Sequence, residues 1–191
     1  EPRADGLITR DMVEAAMRED TILVTLMWAN NEIGTINEIP EIGALCHEKG
    51  VLFFTDATQA VGKIPVDVEA DHVDMLCLSG HKIYGPKGVG AFYVRRRKPR
   101  VRLVAQMDGG GHERGLRSGT LNVTGIVGLG AACAVAEADM EKDREHTQGL
   151  RERMQKRITD ALDHVHLNGD PDHRLPNCLN LSFAFVEGES L

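Results

Sequence analysis

The residue whose chemistry stands out is a lysine that closes a short apolar run: Lys82, in Ser79-Gly80-His81-Lys82 directly after Val73 to Leu78. In parallel α/β sheets, ligands bind outside the carboxyl ends of the strands. A lysine held there can be desolvated, which lowers its pKa and lets the free amine form a Schiff base with a carbonyl compound. Alone, such a lysine is most simply a surface residue at the start of a loop. A second residue changes the balance. Asp56 ends the preceding apolar run, Val51 to Thr55, and opens Asp56-Ala57-Thr58-Gln59. Neighbouring strands lie about 5 Å apart, so two strand-end side chains can face one small ligand. A carboxylate beside a pyridine nitrogen keeps it protonated, and the protonated ring stabilises a carbanion. Lysine and aspartate so placed are the minimal kit for pyridoxal phosphate. Asp56 also suits a helix N-cap, and the two roles are compatible.

The elements that must position this pair follow from hydrophobic spacing. Residues Ile8 to Arg18 read as a helix, and Thr21 to Trp28 as a buried, continuously apolar strand. Pro40 sits in a first-turn position, with Ile39, Ile42, Leu45 and Cys46 on one helical face and Gly50 as the stop. Strands are predicted at Val51 to Thr55, Val73 to Leu78 and Ala91 to Val94, the last two joined by the turn Gly85-Pro86-Lys87-Gly88-Val89-Gly90. The stretch from Arg95 to Thr120 is polar, glycine-rich and too long for a simple connection, the kind of loop that usually has a function. From Val123 to about Leu162 the spacing is helical, interrupted by glycines at 125, 128, 130 and 149. Val165 to Leu167 and Cys178 to Phe185 read as strands of a second unit. The alternation predicts an α/β fold with a mainly parallel central sheet. A large domain is expected over residues 1–135. A long linking helix and the start of a smaller α+β domain are expected over 136–191.

Four segments, in order and spacing, resemble those of cysteine desulfurases of the housekeeping iron–sulfur-cluster type, within the class V aminotransferase superfamily. They are Asn30-Asn31-Glu32-Ile33-Gly34, Asp56-Ala57-Thr58-Gln59-Ala60-Val61-Gly62-Lys63, the run Ser79 to Gly88, and the run Gly109 to Thr120. The resemblance implies the fold of the type I pyridoxal-phosphate transferases and a homodimer. It implies that Lys82 holds the cofactor and later moves the substrate's α-proton, and that Asp56 pairs with the pyridine nitrogen. Asn31 and Gln59 match positions that hydrogen-bond the ring, Gln59 near its phenolic oxygen. Ser79 and His81 match positions that hold the phosphate, and Thr120 one that reaches the phosphate of the partner subunit. The basic run Arg95-Arg96-Arg97-Lys98-Pro99-Arg100-Val101-Arg102 resembles the family's docking surface for sulfur-accepting proteins, chiefly the cluster scaffold; a solvated charge run is the competing account. The implied reaction removes sulfur from L-cysteine, leaving alanine and a protein-bound persulfide.

The family's sulfur-accepting cysteine belongs to a Ser- and Gly-rich loop downstream of Glu187-Gly188-Glu189-Ser190-Leu191, and its substrate-carboxylate arginine lies further on still. Neither is found in these 191 residues, and both ends read as cut. Cys46, Cys77, Cys133 and Cys178 lie in apolar segments without paired metal-ligand spacing and read as packed, reduced thiols of a cytoplasmic (or organelle-matrix) protein. The histidines at 164, 166 and 173 lack metal-site spacing. A net charge of −7 argues against general affinity for nucleic acid or anionic membranes. No apolar run is expected to reach the roughly 20 residues of a membrane span. Two alternatives keep the same residues in play: a selenocysteine lyase or aminotransferase of the same superfamily, and a non-catalytic scaffold that retained the fold. Gly85 to Gly90 lacks the Gly-Lys-Ser/Thr ending of a phosphate-binding P-loop.

Overall fold

The computed structural model describes residues 2–190. Helix α1 (Arg10–Ala16) starts where the Thr9 hydroxyl accepts the Met12 N–H, and strand β1 (Leu23–Met27) follows. Helix α2 (Ile39–Lys49) has Pro40 in its first turn. It stops at Gly50, whose φ of 69° lets the chain reverse while its N–H reaches the His47 carbonyl. Ile39, Ile42, Leu45 and Cys46, all essentially inaccessible, lie along the predicted face. They pack with Phe53, Ala57, Val73 and Leu76 in the main core.

Strands β2 (Leu52–Asp56), β3 (Met75–Ser79) and β4 (Gly90–Val94) complete a four-stranded sheet in the order β1-β2-β3-β4. The first three run parallel and β4 returns antiparallel to β3. The α/β class and the mainly parallel sheet are as the sequence predicts. Burial of β1 is not: it is an edge strand, with Leu23 and Met27 43% and 39% exposed. A continuously apolar run predicts cover on both faces, and within residues 2–190 β1 has a sheet neighbour only in β2.

The Arg95 side chain also departs from expectation. It is 7% exposed and turned inward, not part of a basic surface. Its Nε lies 3.2 Å from Asp74 Oδ1 and its Nη1 2.6 Å from Glu69 Oε2, while Nη2 donates to the Val68 and Val73 carbonyls. A buried guanidinium needs such a set of partners. Burial works against its charge, yet the Glu69 hydrogen bond and the neighbouring negative groups raise its pKa on balance. Arg96, Arg97, Arg100 and Arg102 remain exposed.

Helix α3 (Val123–Ala161) runs unbroken for 39 residues, through all four glycines. Two of its small residues line a contact face at a spacing of four with Gly128: an added Cβ on Gly128 would lie 2.5 Å from Pro86 Cγ, Ala132 Cβ is 3.0 Å from that of a Cβ on Gly85, and Ala136 Cβ 3.1 Å from one on Gly62. This close approach needs residues without bulk, which explains glycine where helix propensity alone disfavours it. Contrary to expectation, α3 is by length and composition long and apolar enough to cross a membrane. Its small residues pack against the turn after β3, while larger apolar side chains such as Val127 and Val135 stay exposed.

Strands β5 (Val165–Leu167) and β6 (Leu181–Phe183) form an antiparallel pair, and a 3₁₀ turn covers Gly188–Ser190; Leu191 lies outside the described residues. The segment between β5 and β6 is tied to the turn after β1. The buried Thr35 hydroxyl accepts the Asp170 N–H at 3.0 Å and donates to the Asp5 carbonyl at 2.9 Å, and the Leu175 N–H donates to the Gly34 carbonyl.

Candidate active site

Asp56 and Ser79 stand at the carboxyl ends of adjacent parallel strands; Asp56 is in register with Cys77, two residues before Ser79. One Asp56 carboxylate oxygen accepts the Thr58 N–H at 2.9 Å, which fixes the side chain at the start of the next turn and leaves the exposed group available. The carboxylate thus caps a turn over residues 58–63 and not the helix that the sequence suggests, and a ligand role stays compatible with its position. Past Ser79 the chain makes a 3₁₀ turn, Gly80–Ile83, which carries His81 and Lys82. Gly80 is buried, and an added Cβ there would come 3.1 Å from the Pro86 carbonyl, so the turn folds tightly against the loop before β4. Tyr84 ends the turn with φ of 60° and is 98% exposed.

The Ser79 hydroxyl and His81 Nδ1 are 2.8 Å apart. That contact occupies Nδ1 and leaves Nε2 as the ring nitrogen free to meet a ligand. Lys82 is exposed and its ammonium makes no hydrogen bond or ion pair among the described residues. It lines a cavity of about 780 Å³ with Lys63, Ile83, Pro86 and Ala132. Gln59, three residues beyond Asp56, is half-buried. Its backbone carbonyl and side-chain Oε1 accept from Lys63 Nζ at 3.1 and 3.3 Å. Burial, with the nearby charge of Lys82 adding to it, lowers the Lys63 pKa.

Asp56, Gln59, Ser79, His81 and Lys82 therefore share the ends of β2 and β3. Asn31 lies in the exposed turn that follows β1, beside Asn30, whose side chain accepts the Glu32 and Ile33 N–H groups. Thr120 stands exposed just ahead of α3 and makes no side-chain hydrogen bond to the other six candidates. Sequence reasoning passed over Lys63, although the spacing of four from Gln59 was a signal for contact.

The donor set fits pyridoxal phosphate: an available carboxylate, an amine, and a hydroxyl–imidazole pair suited to phosphate oxygens. No group of three or more His, Cys, Asp and Glu arranged for a metal ion occurs among the described residues. The four cysteines are free, and none resembles an activated nucleophile. Burial pushes the Cys46 and Cys77 thiols up to about 11, with Asp74 and Asp56 respectively adding to it, and burial also raises Cys178.

The aminotransferase class-V family model matches residues 1–191. The cysteine desulfurase IscS of Vibrio atlanticus (strain LGP32) is 58% identical over all 191 residues, which make up 47% of that protein. Among solved structures, DndA from Streptomyces lividans superposes with a TM-score of 0.90 at 39% identity, covering 99% of this chain and 53% of that one. SspA in complex with cysteine superposes with a TM-score of 0.78, also at 39% identity, covering 95% of this chain and 49% of that one. The chain spans about half the length of the relatives it matches. On a family match over its whole length, the chain belongs to the class-V aminotransferases.

Proposed function

We propose that the protein containing this chain is a pyridoxal-phosphate-dependent cysteine desulfurase, which converts L-cysteine to L-alanine and passes the sulfur on as a protein-bound persulfide for iron–sulfur cluster assembly. The observation that carries this reading is the placing of Asp56 at the end of β2 and of Ser79, His81 and Lys82 at and just after the end of the adjacent parallel strand β3. It is supported by the likeness to proteins named cysteine desulfurase and to SspA, solved in complex with cysteine. When bound, the cofactor supplies a protonated ring that accepts the electrons released at the substrate's α-carbon.

In this proposal Asp56 holds the proton on the ring nitrogen, Ser79 and His81 hold the phosphate, and Asn31 and Gln59 hydrogen-bond the ring. Lys82 binds the cofactor through its amine and then carries the α-proton. Thr120 serves the partner subunit of a homodimer. Arg96, Arg97, Arg100 and Arg102 present the docking surface for a sulfur-acceptor protein, without Arg95. The domain boundary is placed near residue 135, within α3, and a reducing compartment such as the cytoplasm suits the four free thiols.

The test is the visible spectrum of the full-length gene product beside its Lys82→Ala variant, before and after L-cysteine. A cofactor band in the parent that responds to cysteine and is lost in the variant is the expected result. No band in either protein, despite added cofactor and confirmed folding, would leave the scaffold reading in its place.

A further inference from the structure

Among the described residues, the half-buried ammonium of Lys63 hydrogen-bonds only oxygens of Gln59, the backbone carbonyl at 3.1 Å and the side-chain Oε1 at 3.3 Å. The first contact closes a turn, and a structural cap would need nothing more. The second does something else. An ammonium has donors and no acceptor, so the end of the Gln59 amide turned towards Lys63 must be its oxygen. The NH₂ end is then directed away from Lys63. An anionic oxygen on a ring bound at the strand ends can only accept, and needs that NH₂ end. Without Lys63 nothing among the described hydrogen bonds decides which end of the amide is presented, and the wrong end sets oxygen against oxygen.

We propose that Lys63 is a positioning residue that locks the Gln59 amide with its NH₂ group towards the ring oxygen of the cofactor. This rests on the reading of the strand-end site as a pyridoxal phosphate site. Lys63 also shares the cavity with Lys82. Burial there disfavours its charge, and the neighbouring charge of Lys82 adds to that.

The test titrates the visible band of the bound cofactor against pH, and measures cofactor affinity and thermal midpoint. The proteins are the full-length parent, Lys63→Met, Lys63→Arg, Gln59→Ala and the Lys63→Met/Gln59→Ala double variant. Lys63→Met is expected to move the pH midpoint of the band and to weaken cofactor binding about five- to tenfold, the scale of one oriented hydrogen bond. Lys63→Arg is expected to restore most of both. In the Gln59→Ala background, Lys63→Met is expected to leave affinity unchanged, because the residue it acts through has gone, and to move the midpoint less than in the parent, by the direct charge of Lys63 on Lys82 alone. The proposal is overturned if Lys63→Met keeps the parent's midpoint and affinity, even with a lowered thermal midpoint, or if its effect persists undiminished in the double variant. If Lys63→Met does not fold, Lys63→Leu, which also lacks a donor, is read by the same criteria. A parent without any visible band overturns the cofactor reading itself, and this proposal with it.

Discussion

Charge at the level of single residues is handled here by pairing, and pairing can be broken one partner at a time. Asp74 is 5% exposed, forms an ion pair with Arg95 at 3.2 Å and receives the Phe53 N–H at 2.9 Å. Asp74→Ala leaves the Arg95 guanidinium buried beside one remaining carboxylate, and a loss of about 3–5 kcal/mol is expected on urea unfolding. Charge-reversing substitutions at the exposed Arg96 and Arg97 should stay within about 0.5 kcal/mol of the parent, since no buried partner is lost. Asp170 gives a pH signature. The His173 N–H, followed by the Asp172 N–H, holds its carboxyl below the usual carboxylate range. The folded pKa is thus the lower one, so its stabilisation is complete above the unfolded value and fades as pH falls through the folded value. Stability of Asp170→Asn should fall short of the parent near neutral pH, and the two curves should converge in acid; a constant gap down to pH 2 would contradict this.

At the level of elements, α3 decides how the turn bearing Lys82 is held. Gly128 faces Pro86 with no room for a Cβ, whereas Gly149 on the same helix has nothing within 4 Å of one. Gly149→Ala is expected to stabilise by up to about 1 kcal/mol through helix propensity. Gly128→Ala should destabilise by about 1–3 kcal/mol despite the same propensity gain, because helix and turn must part. Equal effects at the two positions, measured by denaturant unfolding, would rule out the packing account. Sequence periodicity found the helix but read its glycines as interruptions, since spacing along one chain does not say what the opposite surface is.

At the level of the whole molecule, the chain corresponds to about half the length of its relatives, and its surface carries apolar side chains that a compact protein normally covers. Ile22 is 81% exposed and Leu23 43%, at the open edge of the sheet, and Val127 and Val135 are similarly bare on α3. An open, apolar edge pairs readily with other chains. Residues 1–191 produced alone are expected to self-associate on size-exclusion chromatography and to release no sulfide from L-cysteine. A monodisperse monomer that produces sulfide would contradict both expectations.

Strand and helix locations, the α/β class, and the grouping of Asp56 and Lys82 at strand ends were determined by the sequence itself, because they depend on local hydrophobic spacing and on where each apolar run stops. The remaining features were decided by tertiary structure. A charge run does not reveal that Arg95 turns inward while Arg96 and Arg97 stay out, since that depends on Asp74 arriving from the start of β3. An apolar strand does not reveal whether it has one neighbour or two. The Gln59–Lys63 contact likewise becomes meaningful only once the fold sets Lys63 beside Lys82, for the orientation of an amide is fixed by its partners in space.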